Sequence, residues 1–158
     1  MNKQTRERLK QLELQELQTK FPSVPLHCLA HSAFKETNAN ELTKTIIRFI
    51  QLNGYQAERI NTMGRFVGPK KYTDFDGRER TIGKGKYIPT TGTKGSADIS
   101  ATIAGRSIKI EVKYGKDRQS DAQKKYQESI EQAGGTYIIA RDVDGFIDWY
   151  DNFIAEMK

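Results

Sequence analysis

Apolar residues recur along this chain with two periods, and the switches between them mark its elements. Over residues 3–20, Leu9, Leu12, Leu14 and Leu17 form a thin stripe in a polar segment. That spacing predicts a helix whose Arg8, Lys10, Glu13 and Glu16 face solvent. Phe21-Pro22 and Val24-Pro25 end it, because proline cannot continue the hydrogen-bond ladder and restricts the residue before it. Residues 21–38 read as an arm or connector. A stronger helix is expected over 39–53. Asn38 with Glu41 three residues later resembles a capping box, Leu42, Ile46, Phe49 and Ile50 line one face, and Asn53-Gly54 supplies the stop. Residues 55–60 then read as a strand.

Residues 62–94 change character: apolar positions thin out and Arg and Lys accumulate, with Asp76-Gly77 as a hairpin signal. This predicts a basic ribbon inserted into the core. Gly83-Lys-Gly-Lys86 lacks P-loop spacing and reads as a phosphate-contacting tip. After it the alternation tightens. Strands are expected at 97–103 and 107–113 around Ala104-Gly105. A helix over 119–133 follows, with Ser120 as its cap and Gly134-Gly135 as its break. Then come a short buried strand at 136–140 and a last helix at 143–156. The order of helix, three strands, helix, strand and helix suits an α/β fold, a mixed β-sheet flanked by helices. The division expected is an N-terminal helical arm over 1–35 and a second domain over 36–158 that carries the insertion.

Composition adds a direction. The chain has 158 residues, a net charge of +6, a pI near 9.4 and 29% charged residues. A basic balance favours a polyanionic partner, with nucleic acid first. No apolar run approaches the roughly 18 residues that span a bilayer, so no membrane partner is expected. Cys28 is the one cysteine, so an internal disulfide is excluded. A cytoplasmic location fits that, and so does the lack of an apolar signal segment in the first residues.

The segment from Asp98 to Lys113 carries the chemistry. With the turn centred between Ala104 and Gly105, Asp98 pairs with Glu111, Ser100 with Lys109 and Thr102 with Ser107. The other face pairs Ile99 with Ile110 and Ala101 with Ile108. One face is then polar and the other apolar, and a slip by one residue would mix them. Two carboxylates face each other with Cβ atoms about 4.5–5.5 Å apart, an arrangement that repels unless a cation offsets it. Mg²⁺ takes oxygen ligands and commonly uses one or two carboxylates. Lys113 projects from the same face, so a cation for phosphate charge stands beside the acids. That set suits phosphodiester hydrolysis.

Four motifs follow in order: Gly95-Ser-Ala-Asp98, Ile110-Glu-Val-Lys113, Ser120-Asp-Ala-Gln123 and Gly134-Gly-Thr-Tyr137. Together they resemble the PD-(D/E)xK nuclease superfamily, in particular its small virus- and plasmid-borne VRR-NUC type, over roughly residues 36–150. Ala97 stands where the name motif has proline. The resemblance implies a restriction-endonuclease-like core, Mg²⁺- or Mn²⁺-dependent cleavage of DNA, and relatives that act as homodimers on branched DNA such as Holliday junctions. It implies Asp98 and Glu111 as metal ligands with the Val112 carbonyl as a third, and Lys113 as the catalytic lysine. Gln123 would face the site from the following helix, and Glu41 would be an auxiliary acid. Glu41 has a plainer reading as a helix-capping residue. The resemblance does not reach the N-terminal helix or the ribbon. From charge and position, Arg59, Arg65, Lys70, Lys71, Arg78, Arg80, Lys84, Lys86 and Lys94 are the expected nucleic-acid contacts. A non-catalytic nucleic-acid-binding module on the same fold explains the basic ribbon equally well, but not the paired acids beside a lysine.

Overall fold

The computed structural model describes residues 1–61, 64–90 and 92–157. Two helices open the chain, α1 (Lys3–Lys20) and α2 (Ala39–Leu52), followed by strand β1 (Gln56–Arg59). Four short strands come next: β2 (Arg65–Val67), β3 (Lys70–Thr73), β4 (Glu79–Ile82) and β5 (Lys86–Ile88). The remainder is β6 (Ile99–Ile103), β7 (Arg106–Val112), α3 (Asp121–Gln132), β8 (Thr136–Ala140) and α4 (Val143–Glu156). The chain forms two units, one of Met1–Ile60 with Gly95–Lys158 and one of Asn61–Lys94.

The first unit is a mixed α/β structure whose four-stranded sheet runs β1-β6-β7-β8. The first three strands are antiparallel, and β8 lies parallel to β7 after the α3 crossover. The β6–β7 hairpin has the register that alternation predicts, with Ile99 opposite Ile110, Ser100 opposite Lys109, Ala101 opposite Ile108 and Thr102 opposite Ser107. Its turn is Ala104-Gly105, and both residues take positive φ (48° and 76°). This is the type I′ geometry that matches strand twist, reached here with alanine at the first position.

The apolar face of the hairpin is sealed. Ile99, Ala101, Ile103, Ile108 and Ile110 pack with Leu42, Ile46, Phe49 and Ile50 of α2 and with Val143, Phe146 and Ile147 of α4 in one buried cluster. Both turns that stop the helices before β1 and β8 are Schellman motifs. Tyr55 N–H bonds the Ile50 carbonyl and Gly54 N–H that of Gln51; Gly135 N–H bonds Ile130 and Gly134 N–H bonds Glu131. Gly54 and Gly134 have φ near +80° (81° and 79°), the conformation the motif needs.

Helix α1 differs from its expected solvated form. Leu9 is fully buried in the same core, and α1 belongs to the unit that holds the sheet. Glu13, expected to face water, is buried: its carboxylate accepts from the Ser32 amide (2.6 Å) and hydroxyl (2.8 Å) and pairs with Arg48 (3.3 Å). The stripe count missed this because a buried carboxylate with donors on three sides reads, in sequence, like any surface glutamate. Arg8 is likewise engaged, bridging to Asp151 (2.6 Å) while its guanidinium lies 5.3 Å from the Phe49 ring centre. No helix among the described residues is long and apolar enough to cross a membrane.

The second unit is two nested two-stranded ribbons, β2 with β5 and β3 with β4. The β3–β4 loop forms around Asp76-Gly77 as expected: Asp74 N–H bonds the Arg78 carbonyl (2.9 Å), Gly77 N–H bonds the Asp74 carbonyl (3.0 Å), and Gly77 has φ 77°. Gly83-Lys-Gly-Lys86 is not the tip. It joins β4 to β5, and Phe75 occupies the far turn instead. No described residue of this unit is buried.

Candidate active site

The β6–β7 ladder ends at Ile99–Ile110, which puts Asp98 and Glu111 at the next position on the polar face. Backbone bonds hold both ends of this edge. Ile60 N–H donates to the Asp98 carbonyl (2.8 Å), and Lys113 N–H donates to the Ala140 carbonyl (2.9 Å). The Asp98 carboxylate is half-buried and accepts the Val112 N–H through Oδ2 (3.0 Å). It is thus aimed across the strand pair, beside Glu111.

Glu111 is 1% exposed, yet it does not enter the hydrophobic core. Its Oε1 meets the Lys113 ammonium (3.0 Å) and the Gln123 side-chain amide, and its Oε2 accepts from the Tyr137 hydroxyl (3.4 Å). Lys113, 4% exposed, also reaches Gln123 Oε1 (3.0 Å) and Asp117 Oδ2 (3.4 Å). Buried Glu111 and Lys113 therefore meet half-buried Gln123, with the exposed Asp117 reaching the lysine from the loop after β7.

Gln123 arrives there through local sequence logic. Ser120 caps α3 by accepting from Gln123 N–H, and Gln123 Oε1 accepts in return from Ser120 N–H (2.9 Å), a complete capping box. The S-x-x-Q motif is therefore a helix start that also presents its glutamine to Glu111 and Lys113. Gly95 makes the approach possible. Its φ is +83°, and a Cβ there would stand 2.5 Å from the Ala122 carbonyl carbon and 2.8 Å from Gln123 N. Gly95→Ala should destabilise the protein by about 2 kcal/mol or more, combining a left-handed penalty with backbone overlap. Gly105→Ala is the control. Gly105 has a similar φ (76°) and nothing within 4 Å, so only the conformational term remains. Urea unfolding of the two variants measures the difference, and equal losses would contradict a close approach at Gly95.

Electrostatics follow from this packing. Burial raises the Glu111 carboxyl above the ordinary glutamate range; the Lys113 hydrogen bond opposes that shift and the charge of Asp98 adds to it. For Lys113, burial works against the charged form, but hydrogen bonding and attraction from Glu111, with Asp117, outweigh it and leave the ammonium more firmly protonated. Burial and the nearby Glu111 charge push the Tyr137 hydroxyl upward, so it stays a donor. A glutamate with a raised folded-state pKa binds more protons folded than unfolded, between its ordinary value of 4.5 and the raised one. Stability of the metal-free protein should therefore carry a term that falls as pH rises through that window. Glu111→Gln should remove that term, read as a flatter dependence of unfolding free energy on pH. An unchanged slope would contradict the assignment.

The other expected residues fall in two groups. Glu41 occupies the third position of α2, where its backbone N–H bonds the Asn38 cap (3.0 Å). Its carboxylate is held by the Thr37 amide (3.2 Å) and hydroxyl, one residue before the position that a capping box would use. These contacts lower its pKa, with the Thr37 hydroxyl bond first. The neighbouring Asn40 side chain accepts from Arg59 at the end of β1. Arg59 stands opposite Ile99, so α2 begins near the Asp98 edge of the sheet. Arg59, Arg65, Lys70, Lys71, Arg78, Arg80, Lys84, Lys86 and Lys94 are all exposed. Arg80 is paired with Asp74 (2.8 Å) and Lys71 with Glu79 (3.7 Å). Tyr137 and Asp117 join the site without a role assigned to either by the motifs. Tyr137 was legible only as part of the Gly-Gly-x-Tyr motif, and Asp117 carried no signal.

Among the described residues no group of three or more His, Cys, Asp and Glu forms a ready metal cage. Asp98 and Glu111 give two hard oxygen donors, which is what Mg²⁺ commonly takes from protein. The donor set, two carboxylates on one polar edge of the sheet, fits a hard divalent cation. Compared with known proteins, the chain matches no family model and no curated protein.

Proposed function

We propose that this protein is a metal-dependent endonuclease that hydrolyses phosphodiester bonds in DNA, on a restriction-endonuclease-like core. The observation that carries this reading is the meeting of Glu111, Lys113 and Gln123 on one desolvated patch, with Asp98 at its edge. Asp98 and Glu111 would hold Mg²⁺ or Mn²⁺, with the Val112 carbonyl as a third ligand. When bound, the ion supplies Lewis-acid stabilisation of phosphoryl charge and a lowered water pKa.

The chain's own residues do the rest. Lys113 would act as a fixed cation for the charge that develops on the phosphate. Asp117 and Gln123 hold that ammonium in place (3.4 and 3.0 Å). Gln123 also orients Glu111, and Tyr137 donates to its other oxygen, so the carboxylate cannot rotate away. Glu41 is assigned an auxiliary acidic role at the same end of the sheet. Asp98, half-buried, is the acid that substrate meets first.

The exposed cations of residues 62–94, with Arg59, would contact phosphates, which positions a nucleic acid without reading its sequence. One small site cuts one strand, so a double-strand cut calls for two copies, and a homodimer is part of the proposal. The test is digestion of a matched panel with Mg²⁺ or EDTA: duplex, single strand, flap, Holliday junction and RNA. Metal-dependent products from a DNA substrate are expected, with branched forms preferred. Salt-sensitive binding with no cleavage under any metal would favour the non-catalytic binder instead.

A further inference from the structure

The ribbon unit has a feature that phosphate contact alone does not explain. Residues 61–94 hold eight Lys and Arg against three Asp and Glu, or +5 of the chain's +6. They also present aromatic rings to solvent: Phe75 is 99% exposed, Phe66 68% and Tyr87 60%. Large apolar side chains grouped in the open mark an interaction site more often than an accident.

Their setting is specific. Phe66 and Tyr87 face each other across β2 and β5, so both rings share one face of that ribbon. Each lies over a glycine. A Cβ at Gly85 would overlap the Phe66 ring, and one at Gly64 would overlap the Tyr87 ring and hydroxyl. The two rings thus rest against bare backbone with their other sides open. On the second ribbon, Tyr72 faces Arg80, with Lys70 and Ile82 on the same face, and Phe75 stands at the turn.

We infer that this unit binds unpaired nucleotides, with Phe66 and Tyr87 as stacking platforms for bases and the flanking Lys and Arg as contacts for the strand's phosphates. The charge complementarity selects a polyanion, and the open rings select one with exposed π-faces, which single strands have and intact duplexes do not. The inference deepens the nuclease reading by naming a substrate with single-stranded character. It rests on that reading for the ribbon's part in catalysis, though not for binding itself.

The test uses the full chain and fluorescence anisotropy in EDTA, with labelled oligo-dT, oligo-U and a blunt duplex as probes. Oligo-dT and oligo-U distinguish DNA from RNA as the source of the single strand. Wild type should bind at least one of the single strands more tightly than the duplex. Phe66→Ala with Tyr87→Ala should weaken that binding by about tenfold or more, leaving the dependence on salt unchanged. Lys70→Ala with Lys86→Ala should instead make the salt slope shallower, by about 0.7 for each lost phosphate contact. None of these side chains is buried, so circular dichroism should show all variants folded. Because EDTA withholds the metal, binding is read apart from cleavage, which separates failure of cleavage from failure of this inference. Equal affinity for duplex and single strands, or a Phe66/Tyr87 double variant that binds as tightly as wild type, would overturn it. So would a double variant that only converts a dimer to monomer in sedimentation, because the rings would then be a self-interface.

Discussion

Asp98→Ala should lower Mg²⁺-dependent cleavage by about a thousandfold, the scale on which loss of one transition-state charge stabiliser acts, while the protein stays folded. Asp98 is half-buried and its carboxylate accepts the Val112 N–H (3.0 Å), so its removal leaves the hairpin register to the isoleucines of the other face. Lys113→Ala should abolish cleavage equally but at a structural cost. The lysine is the cation of a buried pair with Glu111 (3.0 Å), and stripping one partner from such a pair costs about 3–5 kcal/mol. The two variants therefore differ in stability and agree in activity. Gel assays of product formation, with thermal unfolding of each protein alongside, check both halves. Full activity in either folded variant would remove these residues from the chemistry.

The largest effect on stability alone is expected at Phe49→Ala, far along α2 from the acids. Phe49 is fully buried and meets Phe146 and Tyr150 edge to face, with ring centres 6.1 and 4.9 Å apart. It also sits under the Arg8 guanidinium, so α1, α2 and α4 converge on this one ring. Removing it leaves a cavity that three helices cannot easily close, at a cost of about 3–5 kcal/mol. Against a domain stability of about 5–15 kcal/mol, that is a large share. Urea unfolding should show the midpoint falling with little change in slope. A loss under about 1 kcal/mol would mean that the convergence on Phe49 contributes little.

Much of this was legible in the chain because one face of the central hairpin is apolar and the other polar. Period two fixed the register from Ile99–Ile110 to Thr102–Ser107, and with it the placing of Asp98 beside Glu111. The helix ends were legible for a similar reason: Asn53-Gly54 and Gly134-Gly135 are local signals with local causes. What escaped depended on side-chain contacts that no local pattern announces. Glu13 is buried because Ser32 and Arg48 reach it. Asp117 joins the site because a loop folds back on Lys113. Gly83 to Lys86 read as a tip because glycines often turn chains, whereas here Gly85 makes room for the Phe66 ring. The capping-box pattern of Ser120 and Gln123 was half legible. The cap was visible, but the bonds from the same glutamine to Glu111 and Lys113 needed the fold.

The account comes down to whether Asp98 and Glu111 jointly hold a hard cation next to Lys113. Electron paramagnetic resonance of Mn²⁺ titrated into the protein reads this without relying on turnover. Wild type should take up the ion at a site that Mg²⁺ competes for, and Asp98→Ala and Glu111→Gln should each lose that uptake while remaining folded. Uptake by both variants equal to that of wild type would contradict the account at its centre.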